Sequence, residues 1–412
     1  MMTSLNLHEA HDRLLEAAAP IRATEIVGIF DLVGRILAEP LIATRALPPY
    51  DNSAMDGYAV KLADAGKIVQ ITERVLAGDQ PQRSVELGET IGIMTGAIVP
   101  RGTEAIVPFE KVETLTGAVK LPENIKPKQH IRFAGEEAAA GDQLIAAGER
   151  LNATHAALFA SQGIMAAKVY CRLKVAVVST GDELVEPWGS ASLQQIHNTN
   201  STAIALELRN AGYEPIYASL GSDDVNAIAG ELKRLIGRVD FIITCGGISR
   251  GEADYTKEAF EQLGAVIFFH GLNFKPGRPT MAGQVRNTLF AALPGNPLSA
   301  LANLHLLVFP VLQKIAGANE FWLDCQSAIN GEEFNAKSDR DIAFLGRLEG
   351  GSFRIIDGGR YGSGMLTPLA NANAFAIVSG AVSSVAQGAA IKVVGIGSRY
   401  TSTRQEFVNG QF

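Results

Sequence analysis

The segment at residues 244–257, TCGGISRGEADYTK, constrains the fold of this chain more than any other stretch. It follows the short apolar, β-branched run DFIIT at 240–244, and residues 255–263 have the pattern of a helix. Runs of this kind fill parallel sheets that are covered on both faces. The segment is therefore predicted to be a loop at the carboxyl end of a parallel strand, where open α/β sheets bind ligands.

The composition of this loop suits an anion or a metal ion. Gly246 and Gly247 allow backbone N–H groups to approach an anion closely. Glu252 and Asp254 add carboxylates, which beside such a cradle usually hold Mg²⁺ rather than phosphate. Taken alone, a glycine-rich loop can equally be a tight turn without a ligand.

Four further loops of the same polar type follow predicted strands or open helices. Their charged and polar residues are, in chain order, Asp182, Glu183, Asp223, Asp224, His270, Lys275, Arg278, Asn296 and Ser299. The last two open a long apolar helix predicted at 297–315, and a helix N-terminus attracts anions. Because the strand ends of one sheet converge on a single crevice, these loops together predict one site with an acidic and a basic side.

The chain is predicted to be an α/β multidomain protein with four domains. Alternating strands and helices indicate a three-layer α/β/α core with a parallel-rich sheet, whereas short apolar runs between Gly and Pro indicate β-rich modules. The predicted domains are an elongated helical domain at 1–45 and 143–167, an inserted β-rich domain at 46–142, the α/β domain at 168–318 and a C-terminal β-barrel-like domain at 319–412.

Charge and composition argue against several classes of protein. A net charge of −7 is unlike the basic face that nucleic-acid binding requires. No apolar run approaches the roughly 18 residues of a membrane span, and the N-terminus lacks the pattern of a secretory signal. Cys171, Cys245 and Cys325 are too widely spaced for a disulfide framework or a zinc knuckle. We therefore expect a cytoplasmic enzyme, with Cys245 packed at a strand end.

Seven segments, in this order, resemble the signature segments of the molybdopterin molybdenumtransferase family, the MoeA and gephyrin E-domain group. They are PPYDNSAMDGYAV at 48–60, IMTGAIVP at 93–100, IRFAGEE at 131–137, STGDEL at 179–184, GGISRGEADYTK at 246–257, FKPGRPT at 274–280 and LPGNPLSA at 293–300. The resemblance implies a discontinuous first domain, a molybdopterin-binding α/β domain and an elongated homodimer whose active site is built across the subunit interface.

The resemblance also implies an activity and its reactants. Members of the family insert molybdate into molybdopterin adenylate in a reaction that uses Mg²⁺ and releases AMP. The expected partners are a molybdopterin adenylyltransferase and molybdoenzyme apoproteins or their chaperones. The same motifs would also suit a catalytically weak carrier or regulator of the family, or an adenylyltransferase, which would release pyrophosphate instead of AMP. Whether tungstate can replace molybdate stays open.

Site residues follow from the matching motif positions. The resemblance implies catalytic roles for Asp56, Glu183, Asp254 and Lys275, the first three of which would hold Mg²⁺. Asp223 and Glu137 would be outer carboxylates, and at the position of Glu137 many relatives carry Asp. It implies binding of the pterin, phosphate or molybdate by Thr95, Gly246, Gly247, Ser249, Asp223, Arg278, Pro279, Ser299 and Ser363. In the family, the aspartate matched by Asp56 comes from the partner subunit.

Two positions depart from the family pattern or leave a choice. Many relatives have a second Lys or Arg four residues before Lys275, where this chain has Gly271 preceded by His270. His270 can replace the missing charge in part or simply pack. An arginine of the C-terminal domain normally joins the site, and both Arg340 and Arg347 are candidates.

Overall fold

A computed structural model describes residues 5–21, 23–220, 223–247, 254–397 and 400–410, with the backbone alone at 219 and 220. The chain divides into two compact units. The first unit comprises Met1–Glu39, Ala147–Ala156 and Met165–Phe412, and the second comprises Pro40–Ala146 and Ala157–Ile164. The finer division into four domains remains a prediction.

The second unit is built on a six-stranded sheet. In spatial order its strands are Ala105–Pro108, Gly57–Val60, Glu89–Ile93, Ile68–Val75, Ala118–Lys120 and Glu113–Leu115. Tyr58 and Val60 belong to one apolar cluster and Ala59 to another, so the strand that carries them is buried on both faces. Smaller elements are the strand pairs Asn52–Ser53 with Ile131–Arg132 and Leu41–Ile42 with Gln143–Ile145, and the 3₁₀ turns Leu62–Asp64 and Phe109–Lys111.

The α/β part of the first unit contains a second six-stranded sheet. In spatial order its strands are Glu214–Leu220, Lys174–Thr180, Phe241–Cys245, Thr288–Leu293, Met281–Val285 and Val266–His270. The first four are parallel. Met281–Val285 pairs antiparallel with both of its neighbours, so Val266–His270 at the edge runs in the same direction as the first four. The helices Thr199–Asn210, Val225–Leu235, Tyr255–Gln262 and Pro297–Asn303 connect or follow these strands. The predicted parallel-rich sheet is thus confirmed.

Both faces of this sheet carry an apolar core. Along one central strand Val175 and Val177 belong to one cluster, whereas Ala176 and Val178 belong to the other. This alternation follows from the two-residue repeat of a strand. Each face is covered by helices, which confirms the three-layer arrangement.

One helix corrects an expectation about membranes. The helical stretch Pro297–Ile315 has 19 residues and a mean hydropathy of 1.4, so its length and composition would suit a membrane span. It is made of Pro297–Asn303, a π-helical turn at Leu304–Val308 and Phe309–Ile315. Within the chain 94% of its most apolar window is buried. The stretch is apolar on all sides because it is the central helix of the largest core.

The helices near the N-terminus are shorter than the sequence pattern predicted. The helix Leu7–Ala17 begins with a capping box formed by Asn6 and Glu9. Beyond it, Thr24–Gly28 pairs antiparallel with Ala166–Tyr170, because its β-branched residues favour extended backbone. Two further short elements are a 3₁₀ turn at Ile29–Asp31 and the helix Ala153–Ser161.

The C-terminal part of the first unit contains a closed five-stranded barrel. Around the barrel the strands are Asp341–Glu349, Ser352–Ile355, Cys325–Asn330, Ala390–Gly395 and Ala374–Val378, the last pairing again with the first. Phe344, Phe353 and Val393 belong to its apolar core. Smaller elements are Trp322–Leu323 with Tyr400–Thr401, Phe334–Asn335 with Ser384–Val385, Val408–Asn409, Ile356–Gly359 and Thr367–Asn371. The predicted β-barrel-like domain is confirmed.

Candidate functional site

A cavity of about 670 Å³ opens at the carboxyl ends of the parallel strands. Its wall includes Thr180, the last residue of one central strand, and Gly246, which directly follows the next. Gly295 and Asn296, which precede the central helix, complete this side. The cavity therefore lies at the edge of the sheet where the loops were predicted to converge.

The carboxylates of Asp182, Glu183 and Asp223 lie close enough to one another to interact. Glu183 lines the cavity, and Asp182 Oδ1 accepts a hydrogen bond of 3.1 Å from the backbone N–H of Asp223. Burial raises the pKa of Asp223, and the negative charges of Asp182 and Glu183 raise it further. Asp223 Oδ1 is buried without a hydrogen-bond partner. The ionised form of Asp223 is thus destabilised by burial and by repulsion from Asp182 and Glu183, and a bound cation would relieve that repulsion.

Asp254 has an ionic partner in His270. Asp254 caps the helix Tyr255–Gln262, where its Oδ1 accepts a hydrogen bond of 3.3 Å from Lys257 N. Its Oδ2 lies 3.2 Å from His270 Nε2, and the two side chains are 12% and 14% exposed. Burial raises the pKa of Asp254, while the nearby His270 lowers it. The sequence left open whether His270 replaces the missing positive charge or packs. In the fold its imidazole is paired with the carboxylate of Asp254, and its role toward a substrate remains a proposal.

Glycine is required at the two positions that follow the strand Phe241–Cys245, because neighbouring atoms leave no room for a side chain there. Gly246 and Gly247 have φ of +94° and +61°. A Cβ on Gly246 would collide with the carbonyl oxygen of Thr180, and one on Gly247 would lie 2.6 Å from Thr256 Oγ1 and 2.8 Å from Thr180 Oγ1. The hydroxyl of Thr180 is buried without a hydrogen-bond partner. Ser249, also predicted in this loop, lies outside the described residues.

The basic side of the site is the turn that contains Lys275 and Arg278. Both side chains are exposed, and neither forms an ion pair or hydrogen bond with another side chain in the described part of the chain. Pro279 lines the cavity. Between the two cations, Gly277 has φ of +108°, and a Cβ there would collide with Asn303 Nδ2. The turn therefore carries two exposed cations without an ion pair among the described residues, beside Pro279 of the cavity wall.

Arg340 lies beside this basic turn. The strand Asp341–Glu349 runs parallel to Phe274–Lys275 and begins directly after Arg340. Arg340 Nη2 is 2.5 Å from Asp339 Oδ2. The hydrogen bond from Arg340 lowers the pKa of Asp339, and the positive charge of Arg278 contributes. Arg340 and Arg278 are thus close enough to act on the same carboxylate.

Arg347 is placed differently. It lies near the far end of the same strand, where its Nη2 is 2.7 Å from Glu349 Oε1 and its Nη1 donates to the carbonyl of Asn371. Of the two arginines considered from the sequence, Arg340 is the one that the strand register brings to the basic turn.

Ser363 contacts the start of the central helix. Asn296 Nδ2 donates a hydrogen bond of 3.0 Å to Ser363 Oγ, and Leu298 N donates one of 3.0 Å to the carbonyl of Ser363. Ser299 is buried in the first turn of this helix, with 3% exposure. Its carbonyl accepts a hydrogen bond of 2.8 Å from Asn303 Nδ2. The structure therefore groups these two predicted serines at one helix N-terminus.

Three predicted residues lie in the second unit. Asp56 Oδ1 accepts hydrogen bonds from Thr95 N at 2.7 Å and from Thr95 Oγ1 at 2.8 Å, and these bonds lower the pKa of Asp56. Asp56 and Thr95 thus form one polar pair. Glu137 is held in an ion pair with Arg132 at 2.5 Å. Their participation in the site remains a proposal.

The acidic side of the cavity fits Mg²⁺ in its donor chemistry. Among the described residues, no group of three or more His, Cys, Asp and Glu side chains is arranged to hold a metal ion. Mg²⁺ commonly uses one or two carboxylates and takes its other ligands from water and substrate phosphates. Glu183 and Asp223 supply such carboxylates, and the buried Asp223 Oδ1 has no other partner.

Two asparagines of the cavity wall were not predicted. Asn198 and Asn200 both line the cavity. Asn200 Nδ2 donates to the carbonyl of Gly295 at 2.7 Å, and its Oδ1 is buried without a hydrogen-bond partner. Asn198 is the N-cap of the helix Thr199–Asn210, and asparagine before a helical pattern is a recognisable start signal in the sequence. A helix start that directly follows an acidic loop could have identified both residues.

Cys245 also lines the cavity, but its thiol is not activated. The residue is 2% exposed and belongs to the core cluster. Burial raises the pKa of the thiol to about 12. Because the thiolate is the nucleophilic form, this cysteine is inert at neutral pH. Its position agrees with the expectation that it packs at a strand end.

Comparisons with known proteins cover almost the whole chain. Residues 5–163 match the MoeA N-terminal region (domain I and II), 176–314 match a probable molybdopterin binding domain, and 327–396 match the MoeA C-terminal region (domain IV). Two solved MoeA structures from Pyrococcus horikoshii superimpose with TM-scores of 0.78 and 0.83 at 28% and 26% identity. They cover 96% and 95% of this chain and are themselves covered to 99% and 100%.

Sequence relatives agree with these matches. The molybdopterin molybdenumtransferase of Haemophilus influenzae is 33% identical over 397 residues, which are 94% of this chain and 98% of that protein. The enzyme of the same name from a Nostoc species is 32% identical over 374 residues, or 86% of this chain and 85% of that protein. All three regions of the family are present and in order. The chain therefore belongs to the MoeA family of molybdopterin molybdenumtransferases.

Proposed function

We propose that this protein acts in molybdenum cofactor biosynthesis as a molybdopterin molybdenumtransferase, which inserts molybdate into molybdopterin adenylate and releases AMP. The observation that carries the proposal is the cavity at the strand ends. It is lined by Glu183, whose negative charge acts on the nearby carboxylate of Asp223, and by Pro279. Pro279 belongs to the turn that carries Lys275 and Arg278, which form no ion pair among the described residues. This division of charge suits a phosphate-bearing substrate that arrives with a divalent cation and a second, tetrahedral anion.

The acidic residues are assigned to the phosphoanhydride. Glu183 and Asp254, with Asp56, would hold Mg²⁺, and Asp223 would act as an outer carboxylate. When bound, the ion neutralises negative charge on the phosphate oxygens. His270 keeps the Asp254 carboxylate in place through the contact of 3.2 Å. Thr95 does the same for Asp56 through two hydrogen bonds. These partners leave the second oxygen of Asp56 available to a ligand.

The basic residues are assigned to molybdate. A guanidinium can bind a tetrahedral oxyanion through two parallel hydrogen bonds, and an ammonium contributes a point charge. Arg278 and Lys275 supply these groups, and Arg340 approaches from the adjoining strand. Ser363 and Ser299 lie at the helix N-terminus, which favours negative charge. The protein itself supplies no nucleophile in this scheme, in agreement with the raised pKa of Cys245.

A homodimer is part of the proposal. Four large apolar side chains of the first unit, Ile26, Phe30, Val33 and Met165, are 78%, 92%, 57% and 65% exposed. Ile29 N donates to the carbonyl of Met165, so the chain segments that carry them are adjacent. Clustered exposed apolar side chains mark protein interfaces. We assign this patch to subunit contact, and the protein to the cytoplasm.

The reaction places the protein between two partners. A molybdopterin adenylyltransferase would supply the adenylate, and molybdoenzyme apoproteins or their chaperones would receive the product. The alternative, a catalytically weak carrier or regulator, is favoured by one observation. Glu137 is engaged by Arg132 and so is less available as an outer metal carboxylate.

The test is AMP release from molybdopterin adenylate with Mg²⁺, with and without molybdate. We expect release that depends on molybdate and is lost in Asp254→Ala, because this carboxylate is assigned to the metal. Tight binding of the adenylate without molybdate-dependent release would leave only the carrier. Release of pyrophosphate from molybdopterin and ATP would indicate an adenylyltransferase.

Mixing two inactive variants tests the shared site. In dimers of Asp56→Ala with Asp254→Ala, one of the two sites receives both intact aspartates if Asp56 comes from the partner. After random exchange of subunits we expect about a quarter of the wild-type activity. No recovery, despite demonstrated exchange, would place both aspartates in the same protomer.

A further inference from the structure

The carboxylate of Glu183 depends on its loop for its position. The loop runs from the end of the strand Lys174–Thr180 to Asn198, the N-cap of the following helix. Glu183 is exposed, and its side chain forms no hydrogen bond or ion pair with the described residues. A Cβ on Gly181 would lie 2.6 Å from Glu183 Oε2, so the carboxylate folds back over the start of its own loop.

The backbone of this loop is closed by short bonds. Ile196 N donates to the carbonyl of Glu183 at 2.9 Å, and Asn198 N donates to that of Val185 at 2.8 Å. These bonds link Leu184–Val185 to Ile196–His197 as a small parallel pair. They hold the two sides of the loop together, but they do not attach it to the sheet.

A side-chain network attaches the loop to the sheet. Asn198 is 1% exposed, and its Nδ2 lies 2.7 Å from Ser179 Oγ, 3.0 Å from Glu186 Oε1 and 3.0 Å from Tyr217 OH. Tyr217 OH in turn donates to Glu186 Oε2 at 2.7 Å. Ser179 and Tyr217 belong to neighbouring strands of the sheet. Both oxygens of one carboxylate, three residues after Glu183, are therefore bound to groups fixed by the sheet.

The chemistry of this network suits a rigid anchor. Hydrogen bonds to a carboxylate are shorter and stronger than those between neutral groups. Burial raises the pKa of Tyr217 to about 12, so its hydroxyl keeps the proton that it donates. Neither Glu186 nor Tyr217 lines the cavity, whereas Ser179, Glu183 and Asn198 do. The anchor thus lies one layer behind the proposed metal site.

We propose that Glu186 and Tyr217 are positioning residues that hold the Glu183 carboxylate in the geometry required for a divalent cation. The inference rests on the proposed function for the role of Glu183, and it adds residues that the family motifs do not mark. Groups that orient a metal ligand from behind typically change metal affinity by roughly 10–100-fold when they are altered.

The test measures the affinity of the full-length protein for Mn²⁺ alone, by electron paramagnetic resonance, in Tyr217→Phe, Glu186→Leu and Glu186→Gln. We expect affinity to fall at least about tenfold in the first two. Glu186→Gln keeps an acceptor oxygen and should lose less. Tyr213→Phe is the matched control, since it removes the hydroxyl of another buried tyrosine that does not line the cavity. It should stay within about twofold of wild type, and circular dichroism should show all four variants folded.

Two results would overturn the inference. One is equal Mn²⁺ affinity in wild type and Tyr217→Phe, and the other is an equal loss in the Tyr213→Phe control. Parallel AMP measurements separate this inference from the proposed function. If the wild type releases AMP but the Glu186 and Tyr217 variants bind Mn²⁺ as tightly as the wild type, only the positioning role of these two residues is rejected. Weakened Mn²⁺ binding in the variants, with no AMP release by the wild type, would reject only the reaction.

Discussion

Replacing Gly277 by alanine should disturb the basic turn in a way that can be calculated from its surroundings. The residue has φ of +108°, which alanine adopts at a cost of about 1 kcal/mol. Its new Cβ would also collide with the amide nitrogen of Asn303, a residue with 0% exposure. That amide donates to the carbonyls of Ser299 at 2.8 Å and Pro276 at 3.3 Å.

The magnitude follows from the hydrogen bonds that the methyl group displaces. Leaving buried polar groups without partners costs about 2 kcal/mol here. With the backbone strain, the free energy of unfolding should fall by about 3 kcal/mol. The displaced turn carries Lys275 and Arg278, so the KM for molybdate should rise as well. Urea denaturation followed by circular dichroism, together with AMP release at varied molybdate, measures both effects.

A double-mutant cycle identifies the mechanism. Asn303→Ala alone should lower the free energy of unfolding by about 2 kcal/mol, the cost of its lost hydrogen bonds. In the double variant these bonds are already absent and the new methyl group meets no amide, so only the backbone strain is added. The double variant should therefore lose about 3 kcal/mol, and not the 5 of an additive pair. Gly264→Ala is the matched control, since Gly264 has φ of +75° and no atom within 4 Å of its Cβ position. It should cost only about 1 kcal/mol. Additive energies in the double variant, or equal effects of Gly277→Ala and Gly264→Ala, would refute the reasoning.

Two further predictions concern the two sides of the site. The pKa of Asp223 is raised in the folded protein, so the unfolded chain holds its proton less tightly. Ionisation of Asp223 therefore destabilises the fold as pH rises through that raised pKa. Asp223→Asn removes this charge and should raise the melting temperature at neutral pH. The gain should vanish below about pH 4, where the aspartate is protonated in both states. A gain that persists in acid would contradict this cause. Arg340→Ala should raise the KM for molybdate at least about tenfold, whereas Arg347→Ala should leave it unchanged, because the strand register brings only Arg340 to the basic turn. Equal effects of the two changes in steady-state AMP assays would remove Arg340 from the site.

Local patterns predicted most of the central fold. The apolar runs ending at Thr180, Cys245 and Leu293 are strands, because β-branched residues between glycine-rich loops favour buried extended backbone. Parallel strands must end at the same edge of their sheet, and so the loops that follow them could be predicted to converge. The same logic located Gly246 and Glu183 at a cavity before any contact was known.

Local patterns were less reliable where competing packing decides. Leucine-rich turns near the N-terminus predicted more helix than the single helix Leu7–Ala17, because residues 24–28 pair with a strand more than a hundred residues later. The apolar helix before Ile315 has the length of a membrane span, yet its neighbours in the fold bury it. Periodicity describes which faces of an element are apolar, but it does not say what covers them.

The sequence by itself determined the family, the order of sheet and barrel, and the residue types of the site, because glycines, carboxylates and cations recur at fixed places within short motifs. Tertiary structure alone decided which partners those residues have. It paired His270 with Asp254, brought Arg340 to the basic turn, and joined Asn198 to Tyr217. These contacts link side chains from different strands and loops. Their distances depend on how the strands align and pack, and no local pattern of residues encodes that alignment.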